Sequence, residues 1–110
     1  MDYVDRLRRL ALHDADLSVD LTAGDTDLAS GTLDPKTLEL ARLAALVAVG
    51  GGTSTYGAQA DAAINAGASP TEIVDTIIGL VPVIGLPRVV ASAPHVALAL
   101  GYDTDDMYEN

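Results

Sequence analysis

Three of the five prolines, Pro35, Pro70 and Pro87, each stand at the head of a run of apolar residues at helical spacing. Proline has no N–H to donate and its φ is already helical, so the first turn is where a helix accepts it. Asp34 and Ser69 precede two of them as capping residues. Ser69-Pro70-Thr71-Glu72 is the stronger signal, because Ser69 can accept from the Glu72 N–H while the Glu72 carboxylate reaches back to close a capping box. A chain punctuated in this way is expected to be all-α.

Helical periodicity divides the chain into about five helices. The first covers residues 2–13, with Tyr3, Leu7, Leu10 and Ala11 on one side and arginines between them. Residues 14–32 carry five Asp, two Gly and scattered Ser and Thr, and read as an acidic connecting arm. The second helix runs from Pro35 to Val49, with Lys36, Glu39 and Arg42 as its polar stripe, and Gly50-Gly51-Gly52 stops it. A third, rich in alanine, covers 53–66 and ends at Gly67; Tyr56, Gln59, Ala60 and Ala63 share one side. The fourth starts at the capping box and continues to residue 84. Its stripe Ile73, Ile77, Leu80, Ile84 and second stripe Val74, Ile78, Val81 call for burial on all sides, by other helices or by another subunit. The fifth opens at Pro87 and ends near Gly101, with Val89, Ala93, Val96 and Leu100 as its apolar stripe. An acidic, solvated tail is expected from 102 to 110. The expectation is one domain over 1–110, folded as a compact helical bundle.

Composition limits both the packing and the chemistry. Hydrophobic residues make up 49% of the chain, yet there is no Phe and no Trp, so helices must approach closely to fill a core of small side chains. A domain of 110 residues leaves much surface unburied, which favours association with further copies. The formal charge of −10 and the lack of a basic stripe beyond Arg6, Arg8 and Arg9 argue against nucleic acid and anionic membranes as partners. No cysteine is present, which excludes a disulfide, a thiolate nucleophile and a thiolate metal site. The first residues are charged and lack an apolar signal core, so the cytoplasm is the expected compartment. Both 76–87 and 89–102 are shorter than a membrane-spanning helix needs and rich in Pro and Gly, so no span is expected there.

From residue 33 onward, Leu33-Asp34-Pro35-Lys36-Thr37, then Glu39-Leu40 and an Ala/Leu helix, resemble the opening helix of the carboxymuconolactone decarboxylase-like family. This group includes the alkylhydroperoxidase-D-like proteins. Ala66-Gly67-Ala68-Ser69-Pro70-Thr71-Glu72-Ile73 resembles that family's turn into its next helix. The resemblance covers 33–86 well and the last helix loosely, and it implies a homotrimer or homohexamer. Its redox members carry two cysteines three apart and a histidine four residues later. Counting back from Gly67 puts Gln59 at the histidine, Thr55 at the second cysteine and Gly52 at the first. Decarboxylase-type members keep the histidine and have glutamate at the second cysteine. This chain departs from both patterns at every one of these positions. Thiol peroxidase chemistry needs an attacking thiolate and a resolving thiol, so the resemblance implies the fold but not that mechanism.

Other residues could carry a site. Arg88, Ser92 and His95 fall on one face of the fifth helix, at offsets of four and seven. Arginine can hold a carboxylate bidentately and histidine titrates in the range useful for proton transfer. Pro94 leaves the carbonyl of Val90 without its usual helical donor. The competing reading is a plain solvent or subunit-facing side. Tyr56 and Gln59, with Ser54 and Thr55 nearby, lie on the helix that holds the family's active site; the competing reading is a lone aromatic packed among alanines. Gly50-Gly51-Gly52 is expected to be a turn rather than an anion loop, since no strand precedes it and no Lys follows. Ser92 and His95 lack an orienting acid and a G-x-S-x-G elbow, which disfavours serine hydrolysis. Asp25-Thr26-Asp27 lacks the rest of a calcium loop, and His13 reads as a surface residue near a helix end, so no metal is expected.

Two functions are therefore expected as alternatives. One is a cofactor-free lyase or isomerase acting by proton transfer on a small organic acid, lactone or enolisable carbonyl. In it His95 and Tyr56 are catalytic, and Arg88, Gln59, Ser92 and Thr55 bind substrate. The other is a non-catalytic oligomeric binding protein that keeps the fold.

Overall fold

The computed structural model describes residues 3–12 and 32–102. Its helices are α1 (Tyr3–Ala11), α2 (Pro35–Val49), α3 (Thr53–Asn65), α4 (Pro70–Gly79), the single turn α5 (Val81–Ile84) and α6 (Leu86–Ala99). No strand occurs among the described residues, and the fold is all-α. By its contacts the chain divides into two compact units, Met1–Leu33 and Asp34–Asn110. The boundary falls at the cap that starts α2. The acidic arm (apart from Thr32), His13, Asp25-Thr26-Asp27 and the tail beyond Tyr102 lie outside the described residues.

In the first unit α1 exposes Tyr3, Val4, Leu7 and Leu10 and buries nothing.

In the second unit the caps form as their chemistry dictates. The Asp34 carboxylate accepts from the Thr37 N–H at 2.7 Å, and Pro35 opens α2. At α4 the Glu72 N–H donates to Ser69 Oγ at 3.1 Å while the Ser69 N–H donates to Glu72 Oε1 at 3.0 Å. Glu72 Oε2 also meets Lys36 Nζ at 3.0 Å, so the same carboxylate ties the start of α4 to α2. Helix α3 ends in a Schellman motif: the Ala68 N–H reaches the Ala63 carbonyl and the Gly67 N–H that of Ile64, with Gly67 at φ 106°.

The core joins Leu43 and Val47 of α2, Tyr56 and Ala63 of α3, Ala68 of the turn that follows, Ile73 and Ile77 of α4, and Val96 of α6. Tyr56 is the only aromatic among them, and alanines let α3 lie close to its neighbours.

Three details differ from the expected helices. The fourth helix is not continuous to residue 84, because the chain turns at Leu80 and resumes as α5. Gly79 weakens the helix there, and Pro82 has no N–H for the Ile78 carbonyl. The second stripe of α4 is not enclosed within one chain: Val74 is 38% and Ile78 58% exposed. On α6 the buried face is Val89, Ser92 and Val96, whereas Ala93 is exposed. The apolar stripe drawn through Ala93 is thus displaced by one residue, because a serine takes a core position that polarity alone assigns to the surface. No helix among the described residues is long and apolar enough to cross a membrane.

Candidate functional site

The site is built where α2 ends, α3 begins and α6 crosses them. Gly50 adopts φ 88° and ψ 162°, a conformation open to glycine and strained for other residues, and donates its N–H to the Leu46 carbonyl. That reversal brings the first turn of α3 beside α6. A half-open cavity of about 140 Å³ lies between them, lined by Val47, Gly50, Gly51, Tyr56, Arg88, Ala91, Ser92 and His95.

Its central pair is aromatic. The rings of Tyr56 and His95 stack, with centroids 5.1 Å apart and planes 6° from parallel. Tyr56 is buried, and loss of hydration pushes its phenol above the usual range, so it stays neutral at physiological pH. His95 is half-buried, and its Nδ1 lies 3.0 Å from Thr53 Oγ1. Arg88 Nη1 donates to the Ala48 carbonyl at 2.7 Å, serving one of the unpaired carbonyls at the end of α2. This uses one of the five guanidinium N–H groups. Ser92 is buried and donates its hydroxyl to the Val89 carbonyl at 2.7 Å, leaving an oxygen lone pair for another donor.

Of the six candidate residues, Tyr56, Arg88, Ser92 and His95 line this one cavity, while Gln59 and Thr55 do not. The expectation that Gln59 faces the same pocket as Tyr56 is corrected by its partners. Gln59 Nε2 donates to Glu39 Oε2 at 2.8 Å and to the Glu39 carbonyl at 3.0 Å, so a carboxylate and a backbone oxygen together draw the amide toward α2. Glu39 is also bonded to Arg42 at 2.8 Å. Thr55 is exposed and packs beside the Gly51 turn. Ser54 is exposed as well. Thr53 was absent from the candidates, since its contact with His95 spans two helices and leaves no mark in local spacing. Among the described residues no cluster of three His, Cys, Asp or Glu could hold a metal ion.

The fold is a helical unit, and a small cavity in it is walled by a phenol, an imidazole and a guanidinium. The profile of the carboxymuconolactone decarboxylase family matches residues 17–98, and the chain belongs to that family. No curated protein and no solved structure matches it.

Proposed function

We propose that this family member is a cofactor-free lyase or isomerase that moves a proton on a small carboxylic acid or lactone with an enolisable carbonyl. One observation carries the reading: a neutral phenol and an imidazole stacked in parallel share a cavity with a guanidinium. The remaining N–H groups of Arg88 hold the carboxylate. The His95 nitrogen not engaged by Thr53 takes a proton from the carbon beside the carbonyl. Tyr56, kept neutral by burial, donates a hydrogen bond to the enolate oxygen as charge develops there. In an isomerisation the protonated imidazole then delivers the proton to a different carbon of the conjugated enolate. In a lyase step the enolate electrons instead expel a leaving group from the next carbon, and the imidazolium protonates that group. A cavity of about 140 Å³ suits a ligand near the size of benzene, for which ~150 Å³ suffices in a dry engineered cavity.

The test is a binding and turnover screen of carboxylates and lactones of that size with wild type, His95→Ala and Arg88→Ala. Wild type should bind; Arg88→Ala should weaken carboxylate binding at least about tenfold, the scale of one charge-assisted hydrogen bond. His95→Ala should lose turnover while keeping its assembly state. Turnover that survives in His95→Ala ends the assignment.

A second reading concerns association. The exposed Val74 and Ile78 sit on α4, and Ile78 belongs to a stretch, 76–87, with no charged side chain. This supports homo-oligomerisation through α4, which the non-catalytic alternative shares.

A further inference from the structure

His95 is held by two contacts of different kinds, and they constrain different motions. The stack on Tyr56 fixes the plane of the imidazole, with 6° between the rings. Stacking does little, however, to distinguish the two ring orientations related by a half-turn about the Cβ–Cγ bond, which share that plane. Such a turn exchanges the positions of nitrogen and carbon edges at almost no cost in dispersion. The remaining freedom is removed by a directional contact, Thr53 Oγ1 to Nδ1 at 3.0 Å. Thr53 is the first residue of α3, one helical turn before Tyr56, so a single rigid element supplies both restraints.

We propose that Thr53 is a positioning residue: its hydroxyl accepts from Nδ1–H of His95, which selects the tautomer whose Nε2 carries a lone pair toward the cavity. Thr53 itself does not line the cavity, and Nε2 has no protein partner among the described residues. In the imidazolium form Nδ1 still donates to the same oxygen. The hydroxyl therefore keeps one orientation while Nε2 gains and loses a proton, and no reorganisation accompanies the transfer. A carboxylate at this place would instead favour the charged imidazolium. A hydroxyl orients the ring without adding charge. The inference rests on the reading of His95 as the proton carrier, but the tautomer is measured without substrate, so the two can fail separately.

The experiment is 15N NMR of the full chain with labelled histidine, at a pH where imidazole is neutral, using His13→Gln to assign the two rings. In wild type His95 should show a protonated Nδ1 and a bare Nε2 as its major form. Thr53→Val keeps the shape and removes the hydroxyl; it should make Nε2–H the major form. Thr53→Ser should restore the wild-type pattern. A bare Nδ1 in wild type would mean that Thr53 donates, and this alone overturns the proposal even if the valine variant does not fold. An unchanged tautomer ratio in folded Thr53→Val overturns it as well. If the tautomer follows Thr53 as expected while His95→Ala keeps turnover, the positioning stands and the catalytic reading falls.

Discussion

The imidazole of His95 lies parallel to the phenol of Tyr56, their centroids 5.1 Å apart, and this contact joins the first turns of α3 to the second half of α6. Tyr56 thus serves two ends at once. Its ring fills a core that has no other aromatic, and its face forms a wall of the cavity.

The first prediction follows from the buried phenol. Burial raises the Tyr56 pKa in the folded state, so the native chain holds this proton more tightly than the unfolded one. The associated stability is complete below the ordinary tyrosine range, about pH 10, and is lost as pH rises through the folded pKa. Tyr56→Phe should keep the neutral-pH urea midpoint nearly unchanged and flatten its alkaline fall. It should also remove the late step of the tyrosinate absorbance titration. Tyr56→Ala, which empties the core position, should cost about 3–5 kcal/mol.

Two capping carboxylates link stability to acid pH. The Ser69 backbone N–H, and then Lys36, hold Glu72 below the usual carboxylate range, and the Thr37 N–H does the same for Asp34. Depressed folded pKa values mean stability that is present above the unfolded values, near pH 4, and lost as pH falls through the folded ones. Urea midpoints measured from neutral pH downward should drop there. Glu72→Gln can still accept from the Ser69 N–H but carries no charge; its acid limb should be shallower. An identical limb in that variant and wild type would rule out this cause.

The glycine triplet separates two costs. Gly50 has φ 88°, and a Cβ there would meet nothing within 4 Å, so Gly50→Ala suffers from backbone strain alone, about 1–3 kcal/mol. Gly52 has φ −82° and equal space around it, and Gly52→Ala should be close to neutral. Thermal unfolding of the two variants measures the difference. Because Gly50 also lines the cavity, Gly50→Ala should reduce ligand binding as well.

Association through α4 has a direct check. Ile78 is 58% exposed and lies outside both the core and the cavity. Ile78→Lys should therefore leave the helical signal in circular dichroism intact while lowering the mass found by light scattering. An unchanged mass moves any interface away from this stripe.

Much of the helical order was legible in the chain itself, because it depends on neighbours three to five residues apart. Asp34-Pro35, the Ser69–Glu72 box and Gly67 act within one turn of their own helices, and each took the conformation its side chain favours. The break at Leu80 was legible in principle too, in Gly79 and Pro82. The spacing of Arg88, Ser92 and His95 likewise put three cavity residues on one face of α6. Tertiary structure alone decided what those residues meet. Thr53 reaches His95, Arg88 caps the end of α2, Ser92 is buried, and Gln59 turns to Glu39 instead of the cavity. Such contacts depend on how closely helices approach and on which carbonyl or carboxylate lies opposite. No periodicity within a single helix carries that information, since the same side chain satisfies its hydrogen bonds with whichever partner packing supplies.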